Sequence, residues 1–362
     1  MRELLGQVPQ RNMILRPILL PLSSLALTVS SLSAATYQVI FDLETVAATA
    51  GAELGGTPSF LDTVIAEGDK AYAFIRGNGG GAIVEYDGAS ESYRTVMDNA
   101  TWGGTSSALL GGFYGAAVTG GGSSLTFANT FDNQAYSVDI TTGLVTTRVT
   151  SGVFEAATGG SVNLTAASHF TSLGNGFAYD GSSDSILGVG TDDAVSVVVT
   201  SASLTALMGN DTVSAMMATN GILYIGSNSS DSLYSWDLAM NTGSTLLTTA
   251  QIESVTDDQD GRAGFVSIFS APDGLTYFYE NDSDSILSMD LNDPINSLSV
   301  VLTEDDLING PAGSDSVGQL TWYDGEIAWT NLRQGFNAVP EPSSSLILGM
   351  AGLIGLGFRR RA

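Results

Sequence analysis

One stretch, Asn281-Asp282-Ser283-Asp284-Ser285-Ile286-Leu287-Ser288-Met289-Asp290, constrains the whole chain because it recurs. A second copy runs Asn228-Ser229-Ser230-Asp231-Ser232-Leu233-Tyr234-Ser235-Trp236-Asp237. A third, Ser183-Asp184-Ser185-Ile186-Leu187-Gly188-Val189-Gly190, diverges at its end, and 133–139 and 81–87 are fainter copies. The matched final positions are Asp87, Asp139, Gly190, Asp237 and Asp290, at spacings of 52, 51, 47 and 53 residues. A period near fifty implies a small supersecondary unit that buries its apolar face against the next one, in a radial or stacked array.

The unit itself reads as four strands. In the fifth copy these are 265–269, 275–279, 285–290 and 297–302, separated by turn residues such as Ala271-Pro272-Asp273-Gly274. Alternating polar and apolar positions make each a half-buried strand, and four antiparallel strands per unit make a propeller blade. The other units repeat this, with Asn175-Gly176 and Asn220-Gly221 as hairpin signals. Segments 203–208, 250–255 and 304–308 read as short helical turns between units. At the C-terminal end, 319–323 and 326–330 supply only two strands of a further unit. Residues 36–42 supply the missing strand, with Asp42 in register 45 residues before Asp87. Pairing the two ends would remove the open sheet edges that invite aggregation. The expectation is an all-β, six-bladed β-propeller over residues 36–338, with seven blades as the alternative count, closed by N- and C-terminal strands.

The two ends lie outside that fold. Arg11 and Arg16, the apolar run 18–29 and Ser33-Ala34-Ala35 have the three parts of a secretory signal helix, predicting residues 1–35 as a signal peptide cut after Ala35. At the other end, Pro340, Glu341 and Pro342 stop any strand, and an apolar segment then runs to Phe358 before Arg359, Arg360 and Arg361. As a helix at about 1.5 Å per residue, 344–358 spans roughly 22 Å, short of a hydrocarbon core of about 30 Å. The Arg cluster favours the cytoplasmic side. In order, spacing and chemistry, 339–361 resembles the PEP-CTERM sorting tail of exported bacterial proteins. The resemblance implies recognition by an exosortase through Pro340, Glu341 and Pro342, with Arg359, Arg360 and Arg361 as the retention signal. It further implies transient membrane anchoring by a C-terminal apolar helix in segment 339–362, followed by a cell-surface or extracellular destination.

Composition bounds the chemistry. The chain has 12 Lys and Arg against 38 Asp and Glu, and trimming both ends leaves six basic against 36 acidic residues. A body so negative repels nucleic acid, whose binding depends on Lys and Arg meeting phosphates. With no cysteine, disulfides and thiol chemistry are excluded, and with one histidine, His169, a multi-histidine zinc site cannot form within one chain. His169 beside Phe170 reads as a packed strand residue, and no G-x-S-x-G elbow accompanies it. The recurring aspartates read as turn caps. Asp257, Asp258 and Asp260, ahead of Gly261, resemble half of a calcium loop, making calcium the candidate cofactor. Aromatics such as Trp102, Trp236, Trp322 and Trp329 could stack on sugars, but strand parity assigns most of them to blade packing.

Two functions follow as expectations. The first is an exported surface or matrix interaction module, not an enzyme, whose partners are extracellular polysaccharide or another surface protein. The alternative is a secreted calcium-dependent propeller hydrolase or lyase.

Overall fold

The computed structural model describes residues 37–50, 58–77, 80–111, 115–256, 261–309, 317–331 and 334–338. The segment 1–35 expected to be a signal peptide, with Ala35, the expected sorting segment 339–362, and Asp257, Asp258 and Asp260 lie outside the described residues.

In chain order, β1 (Tyr37–Asp42) leads into α1 (Leu43–Ala50). The first sheet follows as β2 (Pro58–Glu67), β3 (Lys70–Gly77), β4 (Gly80–Asp87) and β5 (Ser92–Met97), then α2 (Asn99–Thr105). The second is β6 (Ala117–Thr119), β7 (Ser124–Asn129), β8 (Gln134–Asp139) and β9 (Val145–Val149), then α3 (Ser151–Thr158). The third is β10 (Leu164–Phe170), β11 (Gly176–Asp180), β12 (Ser185–Val189) and β13 (Val195–Val199), then α4 (Ser201–Met208). The fourth is β14 (Ala215–Thr219), β15 (Ile222–Ser227), β16 (Ser232–Asp237) and β17 (Thr242–Leu247), then α5 (Thr249–Glu253). The fifth is β18 (Phe265–Ser270), β19 (Thr276–Glu280) and β20 (Ser285–Met289), with α6 (Pro294–Ser297) before β21 (Ser299–Leu302). After α7 (Glu304–Asn309) come β22 (Leu320–Tyr323), β23 (Glu326–Thr330) and β24 (Gln334–Ala338).

The architecture is a β-propeller of antiparallel four-stranded sheets. Five blades are each spun from one continuous stretch with strands paired in sequence order, where the repeat leads one to expect six or seven. The difference lies at the ends: the remaining four-stranded sheet, ordered β1-β24-β23-β22, is a composite of both termini. Within it Tyr37 pairs with Ala338 and Asp42 with Gln334, across a bulge between Val39 and Phe41. Strand β24 was not anticipated, because Gln334-Gly335-Phe336-Asn337-Ala338 lacks the alternation that marks the other strands.

The hydrophobic core sits between successive sheets. Phe74, Trp102, Phe127 and Tyr136 fill the space between the first and second blades, with Phe74 and Phe127 edge to face at 5.3 Å. The composite sheet is held on both flanks. Towards the first blade, Phe41 packs on Tyr86 and Tyr93, and the Tyr93 hydroxyl donates to the Ile40 carbonyl at 2.7 Å. Towards the fifth blade, Tyr277 meets Trp322 at 6.0 Å. Arginines on outer strands tie neighbours together: Arg94 reaches the Ile140 carbonyl, and Arg148 reaches the Gly174 and Gly190 carbonyls and Asp193.

Turn chemistry explains the repeat. Asp87, Asp139, Asp237 and Asp290 each accept backbone N–H bonds from the residues that follow, the Asx arrangement that closes the hairpin between third and fourth strands. Asn220 and Gly221 both have positive φ, 51° and 78°, as a two-residue primed hairpin requires. Asn175-Gly176 behaves differently. Its turn bends at Gly174, φ 85°, while Gly176 already opens β11, so the inner strand of this blade ends at Phe170, ahead of the Asn-Gly pair. Antiparallel pairing also sorts the connections. The first-to-second and third-to-fourth turns leave one end of the ring, and the second-to-third turns and helical crossings leave the other.

Candidate functional site

The first strands of the sheets surround the axis and enclose a cavity of about 220 Å³, lined by residues of β2, β6, β10, β14, β18 and β22. The inner strands are knitted to one another around it. The Ala66 N–H donates to Thr321 Oγ1 at 3.2 Å, the Leu320 N–H to Ser267 Oγ at 3.1 Å, and the Phe170 N–H to the Gly115 carbonyl at 2.8 Å. Ser267 and Thr321 are buried, 3% and 4% exposed, and both spend an oxygen lone pair on these bonds while keeping an O–H to donate. Gln319 is oriented by its Nε2, which donates to the Leu320 carbonyl at 3.1 Å. Glu67 and Ser172, both exposed, sit at the end of the cavity where the first-to-second turns leave the sheets.

His169 also lines this cavity, half-buried on β10. It lies on a strand, as its sequence neighbourhood implies, but that this strand lines the axis is set by the ring and not by the residues beside it. Burial pushes its pKa down from 6.5 to about 4, outweighing the opposing hydrogen bond to the Ala218 backbone. The imidazole is therefore neutral at ordinary pH. In the unfolded chain it would protonate near 6.5, so between pH 6.5 and 4 the unfolded state binds more protons. The stability this group contributes is whole above pH 6.5 and lost as pH falls towards 4. Full loss amounts to no more than about 3 kcal/mol. Denaturant titrations of wild type and His169→Gln at pH 7 and pH 4.5 should show the wild type losing more stability on acidification, and parallel losses would refute the assignment.

The buried carboxylates are occupied with structure. Asp180 accepts from the backbone of Asn163, Ser182 and Ser183 and from the Ser183 hydroxyl. Glu280 repeats the pattern with Gly264, Asp282 and Ser283. Burial works to raise the pKa of Glu85, but hydrogen bonds and charge from Arg94 (2.6 Å) and Lys70 (3.0 Å) prevail and hold it below the usual carboxylate range. Among the described residues no three acidic or histidine side chains gather as metal ligands would. The candidate calcium residues Asp257, Asp258 and Asp260 lie outside the described residues, as do Pro340, Glu341, Pro342 and Arg359 to Arg361. The aromatics have mostly structural places: Trp102, Trp236 and Trp329 are buried, while Trp322 is half-buried.

Comparison with known proteins addresses the tail and the fold. The profile of the PEP-CTERM protein-sorting motif matches residues 338–361. That motif marks the chain for exosortase-dependent export, processing by an exosortase-type enzyme, and a surface or extracellular location. Nothing among the curated proteins matches the chain. Among solved structures, a luciferin-regenerating enzyme aligns at 9% identity over 80% of this chain and 94% of that one, TM-score 0.52. An auxiliary nutrient binding protein from Bacteroides thetaiotaomicron aligns at 10% identity over 79% and 70%, TM-score 0.51. The calcium-binding protein regucalcin from Agrobacterium tumefaciens aligns at 10% identity over 79% and 92%, TM-score 0.50. At such identities the likeness is one of fold, the β-propeller.

Proposed function

We propose that the chain is an exported interaction module: a closed, six-bladed propeller of residues 36–338, delivered by a signal peptide (1–35) and a sorting segment (339–362). The composite sheet serves as its sixth blade. In this reading the mature body sits at the cell surface or in the extracellular matrix, binding polysaccharide or another surface protein through one end of the ring. Pro340, Glu341 and Pro342 are the recognition element for the processing enzyme, Arg359, Arg360 and Arg361 the retention signal, and Ala35 the cleavage residue.

The supporting observation is the pairing of Tyr37 with Ala338. It puts the first strand of the body beside the last, so residues 1–35 and 339–362 can be removed without taking a strand from the ring. Binding is preferred to catalysis because the buried acids Asp180, Glu280 and Glu85 are committed to turns and ion pairs. The calcium-dependent enzyme would draw its ligands from Asp257, Asp258 and Asp260.

A melting-temperature screen of the full-length protein against extracellular polysaccharides and calcium tests this. A ligand at a hundred times its Kd adds about 2.7 kcal/mol, raising Tm by roughly 5 °C in a domain of this size. The module reading expects such a shift with at least one polysaccharide. A shift with calcium alone would favour the enzyme reading.

A further inference from the structure

The geometry points to the axial cavity as a site for one neutral pyranose ring, the terminal sugar of a glycan entering end-on at the Glu67 and Ser172 mouth. This rests on the module reading and narrows it, because a glycan could instead lie across the turns without entering the ring. At about 220 Å³ the space is on the scale of a single sugar ring rather than of one bound water.

The lining chemistry narrows the class. Ser267 and Thr321, which each accept a backbone N–H, are among the lining residues, and each retains an O–H able to donate. His169, on β10, adds an imidazole to the lining, whose ring nitrogens can donate to or accept from a ligand hydroxyl. Phe269, half-buried, supplies an apolar wall against which the C–H face of a sugar can rest. Among the described residues no Lys or Arg lines the space, which disfavours anionic ligands, and the carboxylate of Glu67 stands exposed at the mouth. Donors, an acceptor and an apolar face without an inner charge suit a hydroxylated ring better than an ion.

The test is saturation-transfer NMR and calorimetry on the full-length protein with free hexoses and N-acetylhexosamines, alongside pull-down on the polysaccharide found in the melting screen. One neutral sugar should bind with a Kd of roughly millimolar order, as expected of a small ligand with few hydrogen bonds. Ser172→Trp, at an exposed position, should plug the mouth and abolish that binding while leaving Tm unchanged, and His169→Gln should weaken it about tenfold. The inference is overturned if no neutral sugar binds, if binding survives Ser172→Trp, or if only amines bind and Glu67→Gln abolishes this. Polysaccharide retained undiminished by Ser172→Trp would sink the cavity assignment while leaving the module reading intact. Sugar binding without any polysaccharide binding would do the reverse.

Discussion

Phe41→Ala is expected to cost about 3–5 kcal/mol, lowering Tm by roughly 5–9 °C, one of the two largest losses anticipated for a single substitution here. The side chain is fully buried and belongs to the composite sheet, yet among the described residues its ring meets Tyr86 at 6.1 Å and Tyr93 at 5.9 Å, both on the first blade. Truncation removes the aromatic volume and leaves a cavity at the junction that joins the N-terminal strand to the rest. The neighbouring bond from Tyr93 to the Ile40 carbonyl cannot compensate, because it fixes the backbone without filling space. Met240, 73% exposed on a turn, is the contrast: Met240→Ala should stay within about 0.5 kcal/mol. Urea unfolding of the three proteins decides it. Equal midpoints for Phe41→Ala and wild type would show that the first strand is not part of the cooperative unit.

Gly115→Ala is the second. A Cβ at this position would stand 1.9 Å from the Ser168 carbonyl oxygen and 2.6 Å from its carbon, and both are backbone atoms of the adjacent inner strand. The φ of +138° is itself one that L-residues rarely adopt. Neither strain can relax by rotating a side chain, so the cost should exceed about 3 kcal/mol and open the wall between β6 and β10. Gly121 separates the two causes: its φ is also positive, +64°, but nothing lies within 4 Å of its Cβ position. Gly121→Ala should cost only about 1 kcal/mol. Comparable losses at both positions would mean that backbone conformation, not the approach of β10, requires the glycine at 115.

What the sequence revealed follows from how local the physics is. An Asp that caps its own hairpin needs only the next two or three residues, so the column from Asp87 to Asp290 exposes the repeat directly. Asn220-Gly221 is equally local, since only such pairs enter a primed turn cheaply. Asn175-Gly176 misled because its glycine opens a strand beneath Phe170, a placement decided by packing: a Cβ at Gly176 would fall 2.4 Å from the Phe170 ring. Strand β24 carries no local signature, because its place is set by two partners, β23 and β1, the latter nearly three hundred residues away. The cavity was least visible of all. Its walls come from six strands separated by repeat lengths, and His169 looks ordinary until the ring brings it into the same lining as Ser267 and Thr321. The helices α1, α2 and α3 were missed for the same reason, being short and held mainly by contact with the sheets they cross.

The account depends on the two ends of the body being zipped into one sheet. Amide hydrogen exchange read by mass spectrometry reports on this directly, since sheet amides exchange only when the sheet opens. Peptides covering 37–42 and 334–338 should be protected as long as those covering β15 and β19, exchanging only with global unfolding. Exchange of 37–42 within seconds, while β15 and β19 stay protected, would contradict the closed ring.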